Sequence, residues 1–160
     1  MQAGPKTTVR VHVRLDDMTP AMHVGNASVV RIIEEARMFY LGHPVPGRLP
    51  FNNGILEVLQ GRANMLIAQQ TVEYVGEMFY STEPLFVTFW IGHLGGSSAT
   101  LCAEIRVTED ADPIVKTEAT MVMVAVDTGK SWPLPDDVRA HLANHMAEPI
   151  ALRPRPGARV

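Results

Sequence analysis

One segment, Ala27 to Gly42 (ASVVRIIEEARMFYLG), constrains the fold of this chain more than any other. Val29, Ile32, Ile33, Ala36 and Tyr40 recur at helical spacing, with Arg31, Glu34, Glu35 and Met38 between them. SVVRII alone reads equally well as a strand, because β-branched residues are poor helix formers. The run continues to Gly42, too long for a typical strand, and Asn26 is a good N-cap. The spacing therefore predicts a helix, roughly 22 Å long at about 1.5 Å per residue. Its apolar face is wide, so it has to be mostly buried.

What buries it is read from the rest of the chain. Thr7 to Leu15 alternates, with Val9, Val11, Val13 and Leu15 on one face and Arg10, His12 and Arg14 on the other, which predicts a half-buried strand. Further strands are expected at about Ala63 to Tyr74, Leu85 to His93, Ser98 to Thr108 and Ile114 to Val126. HLGGSS and TEDADP are short connections of hairpin type, so these strands are expected as antiparallel neighbours. The turn-rich segment His43 to Gly54 reads as a loop, and GILEVLQGR is ambiguous. PDDVRAHLANHM predicts a short last helix, with Pro135 and acidic residues where the helix dipole favours them. The expectation is α+β: one long helix covered by one curved antiparallel sheet, a single domain over residues 1–147. Residues 148–160, rich in Pro and Arg, are expected to form a loosely ordered tail. Open sheet edges favour pairing with a second subunit, so a homodimer or tetramer is expected.

Composition narrows the function classes. A formal charge of -3 over 160 residues carries no basic stripe, which argues against nucleic acid as a partner. The one cysteine, Cys102, excludes an intrachain disulfide framework and suits a reducing compartment. No apolar run reaches a membrane span or a signal-peptide core. A cytoplasmic location is the expectation.

The loop before the helix carries the motif. VRLDDMTPAMHVGNASVVRIIEEAR resembles the signature of hotdog-fold acyl-CoA thioesterases of the 4-hydroxybenzoyl-CoA type, R-W-x-D-x-D-x-x-G-H-V-N-N followed by a helix with E-E-A-R. Arg14, Asp17, His23, Val24, Asn26 and Glu34 to Arg37 match without gaps. IAQQTVEYVGEMFYSTEPL, IGHLGGSSATLCAEI and SWPLPDDVRAHL are similar to the family's later strands, its I-G-x-S-S hairpin and its ending, so the resemblance spans roughly residues 8 to 142. It implies the hotdog fold, dimers with sites at the subunit interface, and thioesters of coenzyme A or acyl carrier protein as substrates, as in fatty acid metabolism. The chain also departs from the family. The second Asp of the signature, the usual catalytic carboxylate, falls on Thr19; the Gly before His falls on Met22, and the first Asn of the pair on Gly25.

Thioester hydrolysis requires a group that delivers water and donors that hold an oxyanion. Backbone amides at a helix N-terminus supply the second, which makes Gly25, Asn26 and Ala27 candidates. Asn26 either caps the helix, or orients water or carbonyl, or does both. For the first, Asp17 is either a turn-former or a stand-in carboxylate, and Thr19 needs an activating neighbour such as Asp17 or His23. His23 either bonds a backbone carbonyl or acts as acid, base or donor. Glu34, about two turns into the helix, or Glu35 beside it is a substitute carboxylate if it is not paired with Arg31 or Arg37. Gly95, Gly96, Ser97 and Ser98 offer amides and hydroxyls to a coenzyme A phosphate, or form a plain hairpin. His141 and His145 have metal-compatible spacing but no third ligand in view, so a solvated helix surface is the default; the methionines around Met121 read as core. No cofactor is expected. Two other readings stand beside the hydrolase: a non-catalytic acyl-CoA-binding protein that lost its carboxylate, and a hotdog enoyl-CoA hydratase, whose D-x-N-P-x-H is one residue shorter than DMTPAMH.

Overall fold

The computed structural model describes residues 5–43, 54–154 and 157. Chain order is β1 (Thr7–Val11), α1 (Asn26–Leu41), α2 (Ile55–Leu59), β2 (Ala63–Tyr74), β3 (Leu85–Leu94), β4 (Ser98–Arg106), β5 (Val115–Ala125) and α3 (Asp136–Ala143). The ambiguous GILEVLQGR is thus resolved as the short helix α2. Most of the expected 43–54 loop lies outside the described residues. The strands form one sheet in the order β1-β3-β4-β5-β2, and every neighbouring pair is antiparallel.

The helix sits on one face of this sheet, as its apolar stripe requires. Val29, Ile32, Ile33, Ala36 and Phe39 pack into a single core with Val9, Val11, Val87, Phe89, Ile91, Leu101, Ala103, Ile105, Met121 and Met123. Burying a side chain the size of Ile32 or Ile33 contributes about 1.5–3 kcal/mol. Intrinsic helix preference costs such a residue at most about 0.7 kcal/mol. Burial therefore decides the conformation of SVVRII, and Gly42 ends the helix with a left-handed φ of 89°.

Two differences from the sequence reading bear on the site; the other element ends agree within a few residues. The first strand stops at Val11, and Leu15 opens a single 3-10 turn (Leu15–Asp17) with its side chain 71% exposed. The alternation holds through Val13, which is buried; beyond it the backbone coils to bring Asp17 inward. The cap of α1 is Gly25 rather than Asn26, which is the first helical residue, and no side chain bonds the cap.

After α3 the chain first pairs in parallel with the edge of β3, Met146 bridging Ile91, and then crosses the outer face of the sheet. Ile91 donates its amide to the His145 carbonyl at 2.8 Å and accepts from the Ala147 amide at 3.0 Å. The Trp90 indole donates to the Glu148 carbonyl at 2.8 Å, with Lys6 over its other face. A Cβ on Gly92 would stand 2.7 Å from the Cys102 sulfur and 3.3 Å from the Pro149 Cα, so the segment crosses at a distance only glycine permits. Farther on, the Arg153 amide donates to the Glu73 carboxylate at 2.7 Å. The contacts at Glu148, Pro149 and Arg153 belong to the 148–160 segment read from sequence as a loosely ordered tail.

Candidate functional site at the N-terminus of the central helix

The loop from Asp17 to Gly25 folds into a miniature hairpin. Met18 and Val24 bridge, and the Thr19 amide and hydroxyl both donate to the His23 carbonyl, at 2.8 and 3.1 Å. The Met22 amide closes the turn onto the Thr19 carbonyl at 2.9 Å. Met22 has φ 65°, a left-handed conformation that costs an L-residue about 1–2 kcal/mol. This is the position where the resembled signature has glycine. Met22→Gly is expected to raise stability by about 0.5–1 kcal/mol, the relieved strain less the extra unfolded-state entropy, read as a higher urea midpoint.

Asp17 is one of the few buried charged side chains in the described residues, at 5% exposure. Its carboxylate accepts from Arg31 Nε at 3.0 Å, from Arg31 Nη2 at 2.5 Å and from the Arg14 amide at 2.8 Å. Burial by itself raises this carboxyl; the guanidinium and the amide together outweigh it and hold the group below its ordinary value. A carboxylate so held is a weak base, and its oxygens are committed. Thr19 is committed likewise, with its hydroxyl on the His23 carbonyl and its methyl against Gly25. Glu34 is paired with the buried Arg37, which also donates to Gln70 Oε1 at 3.0 Å. Glu35 is bound by Arg31 and Arg14.

The cleft itself opens at the start of α1. About 170 Å³ of space is lined by His23, Val24, Asn26, Val29, Tyr74, Gly76, Glu77, Met78 and Val115. His23 and Asn26 are therefore the two sequence-derived candidates that line it; Asp17, Thr19, Glu34, Gly25 and Ala27 do not. The first intrahelical bond runs from the Val29 amide to the Gly25 carbonyl at 2.9 Å. The amides of Asn26, Ala27 and Ser28 consequently have no backbone acceptor among the described residues, as the geometry of a helix start dictates. The Gly25 amide is excluded from this set, because it donates to the Asp17 carbonyl at 3.0 Å. Tyr74 reaches over from β2 and donates its hydroxyl to the Asn26 carbonyl at 3.4 Å.

The Gly95–Ser98 turn stands elsewhere. It joins β3 and β4 at the Met121 end of β5, whereas the cleft is at the Val115 end, about 20 Å away along that strand. Its polar groups hold the chain that follows the sheet. Gly96 accepts from the Leu134 amide, Gly95 from Arg139, and the Ser97 hydroxyl bonds Ser131. Within one chain it is a hairpin and a dock for α3.

His141 and His145 are half-buried rather than fully solvated. Their rings are 5.2 Å apart, and Tyr40 meets His145 edge-on at 6.1 Å beside a small space of about 20 Å³. Burial pushes both imidazoles down and the Tyr40 phenol up. Among the described residues no group of three or more His, Cys, Asp or Glu is placed to hold a metal ion. No described helix is long and apolar enough to cross a membrane.

Sequence reasoning missed Tyr74 and Glu77. Neither belongs to the signature, and both arrive by non-local pairing. Val24 donates its amide to the Met78 carbonyl at 2.7 Å, and Gly76 bonds the Ile114 carbonyl at 3.0 Å. Glu77 is thereby fixed between two anchors beside the helix start.

Comparison with known proteins agrees with this architecture. The Thioesterase-like superfamily matches residues 13–142. The chain is similar to a predicted thioesterase from Bacillus stearothermophilus, at 26% identity over 90% of this chain and 98% of that one, with a TM-score of 0.69. It is similar to a thioesterase complexed with coenzyme A and Zn from Thermus thermophilus, at 25% identity over 91% and 97%, with a TM-score of 0.65. A 1,4-dihydroxy-2-naphthoyl-CoA thioesterase from Synechocystis shares the fold, at 18% identity over 86% and 96% and a TM-score of 0.66. No curated protein sequence matches the chain.

Proposed function

This chain belongs to the Thioesterase-like superfamily, and from that premise we propose that it hydrolyses the thioester of an acyl-coenzyme A, or of an acyl carrier protein, in the cleft at the start of α1. The observation that carries the reading is the helix start itself. Amides at Asn26 and Ala27 without a backbone acceptor among the described residues stand at the positive end of the helix dipole, beside a cleft that His23 and Asn26 line. A thioester carbonyl oxygen gains negative charge as water adds, and fixed donors at that point stabilise the transition state more than the ground state. The thioesterase from Thermus thermophilus was solved with coenzyme A, which supports this choice of thiol. Thr19 supplies no carboxylate, so slow turnover is the expected behaviour.

The same reading includes a homodimer. β2 is the last strand of the sheet, twelve residues long, with one edge unpaired among the described residues. Leu66 is 52% exposed and Ile67 40%, and Tyr74, Val75, Phe79 and Tyr80 extend the apolar surface. A long apolar edge is a template for another strand. A second copy presenting the same edge closes it through a two-fold axis. Tyr74 belongs to both the edge and the cleft, so the active site then opens at the subunit boundary.

The test is a thiol-trapping assay over acyl-CoAs of graded length. Release of free thiol above the uncatalysed rate is expected for at least one chain length. A flat trace for all of them, with binding retained by calorimetry, would instead favour an acyl-CoA-binding role. Thr19→Asp offers a second check. The Thr19 methyl lies 3.2 Å from where a Cβ on Gly25 would stand, so a carboxylate there reaches the helix start. A rate gain of about tenfold is expected, a fraction of what a well-placed general base supplies.

A further inference from the structure

We propose that Glu77 is the carboxylate that activates water in this cleft, taking the part for which the signature has an aspartate and this chain has Thr19. The inference rests on the hydrolase reading above and deepens it. Each other carboxylate near the helix start is accounted for. Asp17 is buried under Arg31, Glu34 is paired with Arg37, Glu35 with Arg31 and Arg14, and Glu73 binds the Arg153 amide. Asp16 is exposed on the 3-10 turn and does not line the cleft. Glu77 lines it, is solvent-accessible, and has neither ion-pair nor hydrogen-bond partner among the described residues.

Its position is set by backbone rather than by its own side chain. Val75 and Gly76 both donate to the Ile114 carbonyl, at 2.9 and 3.0 Å, and Met78, 3% exposed, accepts from Val24 at 2.7 Å. A Cβ on Gly76 would come within 3.2 Å of the Ile114 side chain, so the strand end is pressed close to β5 there. The residue between these anchors is therefore delivered to the same mouth as Asn26, two residues beyond Val24. That is the placement general-base catalysis needs: a free carboxylate across a small wet space from oxyanion donors.

The step balances as follows. The Glu77 carboxylate accepts a proton from water as the water oxygen bonds to the thioester carbon. The carbonyl electron pair moves onto oxygen, which accepts a hydrogen bond from the Asn26 amide at the start of α1. The carbonyl then re-forms, the carbon–sulfur bond breaks, and the departing thiolate takes the proton back from Glu77. A carboxylic acid and the free thiol leave, and the enzyme is returned unchanged.

The experiment compares wild type, Glu77→Gln and Glu77→Ala, using the acyl-CoA that wild type turns over fastest. Glu77→Gln is expected to lower kcat about 100-fold or more with KM changed less than threefold, the range in which a positioned base acts. Glu77→Ala is expected to recover part of its rate with added formate, a carboxylate small enough for the vacated space. Retention of more than a third of wild-type kcat in Glu77→Gln overturns the inference and leaves the hydrolase reading standing. A kcat loss that formate does not rescue, together with a proportionate rise in KM, also overturns it, since that marks a residue needed for shape. Absence of turnover in wild type overturns the hydrolase reading and, with it, this inference.

Discussion

Asp17→Ala is expected to lower folding stability by about 2–3 kcal/mol. The side chain is 5% exposed and its oxygens hold three donors: two on the Arg31 guanidinium and the Arg14 amide. Removing one partner of a buried ion pair costs about 3–5 kcal/mol because the other charge is left unmatched. The Arg31 side chain is 34% exposed and keeps Glu35, so water and the second carboxylate moderate the loss. The effect has a pH signature with a fixed sign. The Asp17 carboxyl in the folded chain lies below its ordinary value of 3.8. An unfolded chain thus binds the proton first, and stability is whole above pH 3.8 and drains away as pH falls through the folded value. In Asp17→Ala that part of the acid limb is missing, which urea midpoints measured between pH 3 and pH 7 will register. Asp17→Asn keeps the shape and loses the charge, so an intermediate deficit is expected. Protein of that variant which remains folded is expected to keep thioester turnover within a few-fold of wild type, because the carboxylate latches Arg31 rather than facing the cleft.

The second large effect concerns the edge of β2. The double substitution Leu66→Glu, Ile67→Glu is expected to convert the proposed dimer into a monomer, raising the dissociation constant by about 10³-fold or more. Two carboxylates per protomer would enter a contact lined with apolar groups. A penalty of about 4 kcal/mol corresponds to three decades in the constant and is a low figure for unpaired buried charges. The folded monomer is expected to persist. Both positions are exposed within one chain, and their partners on β5, Val122 and Met121, stay hydrogen-bonded to β4. Activity is expected to fall with the dimer, since the cleft shares Tyr74 with that edge. Sedimentation at graded concentrations decides the matter; a wild type that sediments as a monomer at micromolar concentration would contradict the assembly.

The elements were legible because burial imposes a period. Ser98 to Thr108 alternates by twos, and the observed strand Ser98–Arg106 keeps Ala99, Leu101, Ala103 and Ile105 in the core. The helix was legible despite its β-branched start because its stripe continues for four turns. What was not legible depends on partners distant in sequence. Asp17 meets an arginine 14 positions away, and that pairing makes it a latch. Glu77 lies in VGEMFYSTEP, which has no periodicity; Met78 meets Val24, 54 residues earlier in the chain, and brings Glu77 to the helix start. The Gly95–Ser98 turn has the composition of an anion cradle, yet its carbonyls face the approach to α3. Local chemistry marks what a loop can do, whereas the neighbours that consume its donors are chosen by topology.

The segment running from His145 past Pro149 across the outer face has a bearing on how the molecule comes together. Cys102 is 0% exposed beneath it, and that enclosure pushes the thiol up, away from the reactive thiolate. The sheet precedes this segment in chain order, so on a ribosome the strands emerge and zip up while the sulfur still faces water. Protection of the sulfur from an alkylating reagent then reports when this segment docks on the sheet. A chaperone or oxidant would find its opening in the interval before that moment.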